Sequence, residues 1–341
     1  MASIPFALRR PWLILGQWFT NRDEPDLEKL RATADPERFL WAILPHAART
    51  FAACIALLPS RMARAGAVGY LYCRCLDTYE DLSPDPDPLL RAFAARFDEP
   101  ELGPAPALAN PHVQDRRDQA HLLLVECIDR VDAIYRGLSE THKASIRRCV
   151  QDMAAGMQRG KEDVLSYCRT VLGNPVVFGM ELLLDRGLND RETEVAMRVG
   201  EMVQLANITR DVEKDHARGV VYDERLNAGA DEATVRAVRL DFLRLALERA
   251  PDYRRMIWML RRPRIHLGRA SATLMLLFTS RYYDRVAVRL GLEGWHESRS
   301  TLVLMLRTFP ASWSHRYALG LARKTELGML AVAESVTESG S

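Results

Sequence analysis

Three polar side chains recur at intervals of four in the stretch LANITRDVEKD: Asn207, Asp211 and Asp215. If this stretch is helical, the spacing drifts by only about 40° per step, so the three side chains share one face. Arg210 directly precedes the first aspartate. A row of carboxylate and amide oxygens suits a hard divalent cation, Mg²⁺ above all. One such row alone would be typical of a solvated helix face, so another acidic helix is needed to decide.

Another acidic cluster, DTYED, places Asp77, Glu80 and Asp81 at i, i+3 and i+4, again on one helical face. In chain order this cluster is the first acidic motif, and Asn207 to Asp215 is the second. Tyr70 and Arg74 precede Asp77 at intervals that keep them on the same stripe. One arginine side chain can donate two parallel hydrogen bonds to phosphate oxygens. Arginine beside metal-binding acids therefore suits a diphosphate leaving group. Two such helices facing one cavity would hold a diphosphate between them through bridging Mg²⁺ ions. A salt-bridged surface explains each charge separately but not their combination.

One further acid within the second motif suggests a different metal. Glu213 and His216 form an E-x-x-H pattern, which supplies ligands in di-iron helical bundles. Those sites also need a second such motif and two further glutamates that point to the same place. Glu213 lies about 200° around the helix from Asp211, so these two acids cannot share one metal centre. This placement argues against di-iron chemistry.

The composition is that of a soluble globular protein, with 341 residues, 48% hydrophobic and 27% charged, and a net charge of +2. So small a charge, spread along the chain, gives no reason to expect nucleic-acid binding. The six cysteines form no C-x-x-C pair, and we interpret them as buried thiols in a reducing compartment. The sequence shows no secretory signal and no run of about 18 apolar residues. We therefore expect a cytoplasmic protein, as a monomer or weak homo-oligomer.

Residues 1–34 are interrupted by prolines and predict an irregular arm. Apolar residues, among them Trp12 and Trp18, cluster there beside Arg9, Arg10 and Arg22. Packing of this arm on the rest of the protein is the first interpretation. Peripheral contact with a membrane surface, which this mixture of aromatic and basic residues also suits, is the second.

Helical periodicity continues through most of the remaining chain. Asp35 followed by Pro36 is a strong start signal, because aspartate caps a helix and proline fits its first position. No alternating strand, Asn-Gly hairpin or fixed-period repeat is present. We predict a single all-α domain over residues 35–310 with a central cavity, and a C-terminal tail over 311–341 that frays near its end. The predicted helices are 36–59, 61–82, 89–97, 113–136, 140–159, 163–173, 176–186, 191–214, 232–249, 253–260, 265–290 and 298–308.

Four motifs recur in the order that one enzyme family shows. They are Ala48-Arg49-Thr50-Phe51-Ala52; Tyr70, Arg74 and Leu76-Asp77-Thr78-x-Glu80-Asp81; Tyr167-Cys168; and Gln204-x-x-Asn207-Ile208-x-Arg210-Asp211-x-x-x-Asp215. With these motifs the sequence resembles the squalene/phytoene synthase family, the head-to-head prenyl synthases, over residues 39–290. The resemblance implies an isoprenoid-synthase-type helical bundle that condenses two allylic prenyl diphosphates and binds Mg²⁺.

The resemblance also implies a role for each matching residue. Tyr167, Arg74 and Tyr70 would act in catalysis, with Tyr167 assisting proton removal or handling of a carbocation. The metal ligands or their supports would be Asp77, Glu80, Asp81, Asp211 and Asp215. The substrate would be bound by Arg49, Thr50, Phe51, Tyr70, Arg74, Gln204, Asn207 and Arg210.

Departures from the family pattern leave the product open. After the third motif the family has Val-Ala-Gly-x-Val-Gly, whereas this chain has bulkier Leu172 and Val176 together with Pro175. Val220 stands where the family often has arginine, and Tyr79 is bulkier than the usual aliphatic residue. The expected product is a squalene-, dehydrosqualene- or phytoene-type hydrocarbon. It would form from farnesyl or geranylgeranyl diphosphate through a cyclopropyl diphosphate.

Two other functions stay open beside this one. A terpene cyclase on the same scaffold would use one prenyl diphosphate and no second substrate. A non-catalytic assembly relative would be expected to lose its acids, whereas all five are present here. NADPH is a candidate cofactor for the second half-reaction. The sequence has no Gly-rich fingerprint after a strand, but squalene synthases of this family lack one too.

Overall fold

The computed structural model describes residues 24–48, 50–99, 102–108, 113–159, 163–217, 221–226, 230–292 and 301–338. These residues form two compact units. The first takes the described residues of Met1–Gly160 and Val177–Gly187, and the second those of Lys161–Val176 and Leu188–Ser341. The range 35–310 is therefore divided between two units, although no change of composition marks the division. Most of the predicted arm, together with Arg49 and Val220, lies outside the described residues.

All regular secondary structure in the described residues is helical, and no β-strand occurs among them, which confirms the predicted all-α class. The α-helices are α1 (Leu27–Ala32), α2 (Pro36–Ala48), α3 (Thr50–Ala56), α4 (Ser60–Leu82), α5 (Asp87–Ala95), α6 (Arg116–Glu126), α7 (Ile128–Arg136), α8 (Glu140–Gln158), α9 (Val164–Cys168), α10 (Asn174–Leu184), α11 (Asp190–Ala217), α12 (Glu232–Leu247), α13 (Ala250–Met259), α14 (Leu267–Arg289), α15 (Thr301–Trp313) and α16 (His315–Glu338). A π-helical segment, Arg169–Gly173, lies between α9 and α10.

Helices begin where the sequence has capping residues. Asp35 accepts a hydrogen bond from the Arg38 N–H at 2.7 Å, and Pro36 is the first residue of α2. Asp231 accepts a hydrogen bond from the Thr234 N–H at 2.7 Å at the start of α12. Each aspartate satisfies an amide that the first helical turn leaves without a carbonyl partner. Both predicted helix starts are thus confirmed.

The first unit is arranged around α4, which packs against α2, α6, α7 and α8. Tyr72 on this helix is fully buried, and its ring meets those of Phe93, Phe97 and Tyr135 edge to face. The ring centroids lie 5.1–6.0 Å apart. Aromatic pairs in this geometry stabilise a core beyond the effect of burial alone. The cluster therefore anchors one side of α4.

A buried ion pair completes this cluster. Arg96 Nη2 lies 2.5 Å from Asp132 Oδ2, and both side chains are almost wholly buried. The Tyr72 hydroxyl donates to the other oxygen of Asp132 at 2.7 Å. Burying a guanidinium is costly unless an opposite charge lies beside it. Asp132 supplies that charge from α7.

The proline-rich excursion after α4 is held by two buried side chains. Arg96 Nε donates to the carbonyl of Gly103 at 2.7 Å, and the Tyr79 hydroxyl donates to the carbonyl of Pro106 at 2.7 Å. Tyr79 is the residue that departs from the family pattern inside the first acidic motif. Its extra bulk faces the core and the excursion, because the side chain is fully buried.

The second unit is arranged around α11, which packs against α12, α13 and α14 and against the π-helical segment. The fully buried Arg269 of α14 donates to the carbonyl oxygens of Leu260, Arg264 and Ser312 at 2.9, 2.7 and 2.9 Å. It thereby joins the ends of α13 and α15 to α14. The sequence predicts a C-terminal tail over residues 311–341. In the structure the chain is helical through this range as far as Glu338, apart from a break between α15 and α16.

The π-helical segment lies directly before a proline. The N–H of Asn174 donates to the carbonyl of Arg169, five residues back, in place of the usual four. Pro175 follows and has no N–H to donate to the carbonyl of Val171. The sequence predicts a kink at this proline, and the structure has a wider helical turn immediately before it. Such turns are frequent at functional sites.

The six cysteines are all buried, and no disulfide joins any two of them in the described part of the chain. This observation confirms the prediction of buried thiols. Of the helices that the structure describes, none combines the length and the apolar character needed to cross a bilayer.

We predict that Asp132→Asn lowers the free energy of unfolding by about 3–5 kcal/mol, because it leaves the buried Arg96 charge without its partner. The matched control is Arg61→Gln, which removes a pair with Asp185 whose side chains are 63% and 49% exposed. That loss should cost at most about 1 kcal/mol. Urea titrations followed by circular dichroism measure both values. Equal effects of the two variants would contradict the anchoring role of Asp132.

Candidate functional site

The first acidic motif forms a connected line along α4. Arg74 Nη2 donates to the Tyr70 hydroxyl at 2.9 Å, and Arg74 Nη1 lies 3.0 Å from Asp77 Oδ2. The ring of Phe51, in α3, stacks on Tyr70 with 5.4 Å between centroids. The structure thus brings together four residues that the sequence selected, and Thr50 lies beside them at the start of α3.

The Nε of Arg74 differs from the two other nitrogens of its guanidinium, which contact Tyr70 and Asp77. Its Nε is buried and has no hydrogen-bond partner among the described residues. Buried polar groups are nearly always hydrogen-bonded, so this donor can take an acceptor from outside the described residues, such as an oxygen of a ligand. Tyr70 and Asp77 hold the other two nitrogens and fix the orientation of the third.

Asp77 lies in a setting that disfavours its negative charge. Burial is the main cause and raises the pKa of Asp77 to about 7, with Asp81 and Glu80 adding to the rise against the opposing charge of Arg74. Glu80 is half-buried and Asp81 is exposed at the end of the same helix. A divalent cation would relieve the repulsion among these carboxylates. The donor set therefore fits a hard cation.

The described residues hold no ready-made group of three His, Cys, Asp or Glu side chains around one point. Mg²⁺ does not require one. It is commonly bound by one or two carboxylates and takes its other ligands from water and substrate phosphates. Asp77 with Glu80 or Asp81 would satisfy that requirement in the first unit, as would Asp211 with Asp215 in the second.

The second acidic motif lies on α11. Arg210 Nε donates to Asp211 Oδ1 at 2.8 Å, and the guanidinium lies over the ring of Tyr282 at 4.3 Å from its centroid. Asn207 Nδ2 donates to the side chain of Gln204 at 3.2 Å. All four polar residues of this part of the motif are half-buried, as is Asp215 one turn further on. Arg210 and Asp211 are therefore held as a pair on one side of the helix.

Glu213 belongs to a different face of α11. It forms ion pairs with Arg239 of α12 and with Arg289 of α14, the second at 3.1 Å. These contacts agree with the prediction that Glu213 points away from Asp211. Its partners are arginines, which is the environment of a structural carboxylate and not that of a metal ligand.

Tyr167 meets a residue that the sequence analysis did not select. Its ring lies 5.4 Å from that of Tyr222, with 45° between the ring planes. Tyr222 follows the second motif and is the tyrosine of the family pattern Gly-Arg-x-Tyr, so its retention could have identified it. Two half-buried tyrosines side by side present ring faces that can stabilise a nearby cation.

A close backbone contact positions the segment that carries Tyr167. A Cβ atom at Gly200 on α11 would lie 2.5 Å from the Cα of Gly173, so only glycine allows the π-helical segment to approach this near. Next to it, Arg169 Nε donates to the buried carboxylate of Glu201 at 2.6 Å. Glu201 also pairs with Arg249 of the helix connection that follows α12. Glu201 could not be recognised from the sequence, because its periodic position does not reveal the two arginines that contact it.

Comparison with known sequences identifies the family. A sequence profile of the family described as Squalene/phytoene synthase matches residues 44–276. The chain therefore belongs to the squalene/phytoene synthase family, which confirms the resemblance. It is 28% identical over 195 residues to a squalene synthase of Rattus norvegicus and 28% identical over 204 residues to a lycopaoctaene synthase of Botryococcus braunii. The matches cover 52% and 53% of this chain but only 44% and 42% of these relatives.

Solved structures share the fold. The structure of TcSQS in complex with the ligand E5700 matches with a TM-score of 0.67 and 21% identity, over 87% of this chain and 92% of that one. TcSQS in complex with BPH1237 matches with a TM-score of 0.68 and 20% identity over the same shares. These likenesses confirm the predicted isoprenoid-synthase-type all-α fold.

We predict that Gly200→Ala lowers the free energy of unfolding by about 1–3 kcal/mol, because the added methyl group overlaps the backbone of Gly173. The matched control is Gly179→Ala in α10, where no described atom lies within 4 Å of the added carbon. A helical glycine with open space should gain up to about 1 kcal/mol on this change. Thermal unfolding measures both. An unchanged midpoint for Gly200→Ala would contradict the close contact.

Proposed function

We propose that the protein catalyses the Mg²⁺-dependent head-to-head condensation of two prenyl diphosphates, farnesyl or geranylgeranyl diphosphate. The product would be a squalene-, dehydrosqualene- or phytoene-type hydrocarbon, reached through a cyclopropyl diphosphate. Membership of the squalene/phytoene synthase family supports this reaction type. The relatives that carry the names squalene synthase and lycopaoctaene synthase support it as well.

The observation that carries the proposal is the unused Nε of Arg74. A guanidinium held by Tyr70 and Asp77 offers the N–H of its Nε in a fixed direction, which suits an oxygen of a diphosphate. Burial raises the pKa of the Tyr70 hydroxyl, so this group stays protonated. Its oxygen accepts from Arg74, and its own hydrogen is available to a second phosphate oxygen. Thr50, at the start of α3, and the preceding Arg49 would add contacts.

Both acidic motifs would serve one substrate site. Asp77, Glu80 and Asp81 on α4 and Asp211 and Asp215 on α11 would hold Mg²⁺ for the same diphosphate. When bound, Mg²⁺ supplies positive charge that stabilises the departing diphosphate. The protein's own contribution is to aim Arg74 and Arg210 at the same leaving group, since preorganised donors cost little reorganisation during reaction.

The carbocation formed by loss of diphosphate must be shielded from water. It must also be stabilised by groups that donate electron density weakly. Phe51 stacked on Tyr70, and Tyr167 beside Tyr222, provide aromatic faces of this kind. Carbon–carbon bond formation between the cation and the double bond of the second substrate creates a new cation. A proton must leave that cation when the cyclopropane ring closes. We propose that Tyr167 assists this removal of the proton.

A terpene cyclase acting on one prenyl diphosphate is the second candidate. The bulk added at Leu172 and Val176 favours it, because both side chains are buried in the segment beside Tyr167, where the family has smaller residues. Less space there would disfavour a second prenyl chain. NADPH use belongs to the first candidate alone, as the reductant of a squalene-type second half-reaction.

Incubation of the purified protein with Mg²⁺ and farnesyl or geranylgeranyl diphosphate, with and without NADPH, tests both candidates. Gas chromatography and diphosphate release are the measurements. We expect a C30 or C40 hydrocarbon, and a cyclopropyl diphosphate if the second half-reaction does not occur. A cyclised C15 or C20 hydrocarbon would show that the protein is a terpene cyclase and not a condensing enzyme. No release of diphosphate from either substrate would reject both.

We predict that Arg74→Lys weakens the Mg²⁺-dependent binding of inorganic diphosphate by about tenfold or more. Lysine keeps the positive charge but cannot contact Tyr70 and Asp77 and still present a directed N–H. Isothermal titration measures the affinity. The matched control is Arg91→Lys, a change at an exposed position of α5, which should leave the affinity unaltered. Equal affinities of the Arg74 variant and the wild type would remove the main support of the proposal.

A further inference from the structure

Helix α15 carries large apolar side chains on its exposed side as well as on its buried side. The buried side includes Leu304, Met305, Thr308, Ala311 and Ser312. Helical spacing keeps the residues of its exposed side within one stripe about 120° wide. Among the side chains that the structure describes in this helix (303–313), the exposed ones are Val303, Leu306, Phe309 and Trp313. A contiguous apolar face of this kind on a folded protein marks a contact with something other than water.

The connection between α13 and α14 extends this face. The N–H of His266 donates to the carbonyl of Ser312 at 2.7 Å, directly before Trp313. The neighbouring Ile265 has 71% of its surface exposed. Trp258, near the end of α13, is also exposed. We name the set of Trp258, Ile265, Leu306, Phe309 and Trp313 the α15 patch.

Three exposed arginines border the α15 patch. Arg261, Arg262 and Arg264 are all exposed in the same connection, and the guanidinium of Arg261 lies 3.7 Å from the ring centroid of Trp258. The earlier Arg254 and Arg255 are instead paired with Glu326 and Asp252. The connection from 261 to 268 contains three arginines and no acidic residue, so it supplies positive charge beside the patch.

We propose that the α15 patch docks on an anionic lipid bilayer. Tryptophan places its ring at the boundary between headgroups and acyl chains, and the other apolar side chains enter the same boundary. Arginine beside them attracts anionic headgroups. The structure thus assigns a peripheral contact in which α15 lies along the bilayer surface. This inference is independent of the reaction that the protein catalyses.

Charge distinguishes this partner from two others that an apolar face can have. A two-fold dimer would bring the basic border of both patches to the same interface, and like charges repel. Residues 1–22 carry Arg9, Arg10 and Arg22 and no acidic residue, so this segment brings positive charge as well. An anionic surface complements both the apolar and the basic part of the patch.

Sedimentation of the full-length protein with lipid vesicles tests the inference. The vesicles contain phosphatidylcholine alone or an equimolar mixture with phosphatidylglycerol. We expect binding to the mixture that weakens as salt is raised, because salt screens the attraction of the arginines. The variants Leu306→Gln/Phe309→Gln/Trp313→Gln and Arg261→Gln/Arg262→Gln/Arg264→Gln should each bind about tenfold or more weakly than the wild type.

The matched control is Val288→Gln. Val288 is 43% exposed and lies near the far end of α14, about 30 Å along the helix from its start. This variant should bind vesicles as the wild type does. Circular dichroism and thermal unfolding establish that all variants are folded.

Two results would overturn the inference. The first is equal vesicle binding by the wild type and both patch variants, including no binding by any of them, since a contact through residues 1–34 would leave the patch variants unaffected. The second is a dimer in sedimentation velocity that the patch variants dissociate, which would identify a second copy of the chain as the partner.

Discussion

Burial of charge along α4 is the constraint on which the candidate site depends. The side chains of Arg74 and Asp77 are only 23% and 19% exposed, and such half-buried charges need partners. Arg74 finds two of them in Tyr70 and Asp77. The arrangement is incomplete at Arg74 Nε and electrostatically strained at Asp77, whose pKa is raised to about 7. A diphosphate with Mg²⁺ would complete both, since one brings oxygens and the other brings positive charge.

Contacts on the opposite side of α4 hold the helix that carries Tyr70, Arg74 and Asp77 in place. Its buried tyrosines are held in an aromatic cluster, and Tyr72 is tied to a buried carboxylate that is itself matched by Arg96. In the second unit the corresponding restraint is the backbone contact between Gly173 and Gly200, supported by Glu201 and its two arginines. Charge pairing and close backbone packing thus fix the two helices that carry the acids, each within its own unit.

Much of the fold could be predicted from the sequence where the information is local. The helix predicted over 61–82 is Ser60–Leu82 in the structure, because the prolines around it and its own periodicity mark both ends. The predicted helix 113–136 is divided at Cys127 instead, and no glycine or proline announces that break. The stripe of Tyr70, Arg74 and Asp77 was also predictable, since residues three and four apart on a helix must be neighbours.

Contacts between residues that lie far apart in the sequence could not be predicted from it. Tyr167 and Tyr222 are separated by the whole of α11, and the ion pair of Arg96 with Asp132 joins two helices of no special pattern. Glu201 looks like any other acid on a long helix until the fold brings Arg169 and Arg249 to it. The exposed apolar face of α15 is another case. Its apolar residues suggest a buried face in the sequence, and only the structure shows which of them remain exposed.

The central claim is that the two acidic motifs bind one diphosphate, and a double-mutant cycle tests it most directly. The affinity for inorganic diphosphate with Mg²⁺ is measured for the wild type, Asp77→Asn, Asp211→Asn and the double variant. The account predicts a coupling energy of about 1 kcal/mol or more, because each aspartate acts through the same bound group. Glu213→Gln, on the other side of α11, should combine additively with Asp77→Asn. Additivity within about 0.5 kcal/mol for the two aspartates would contradict the account.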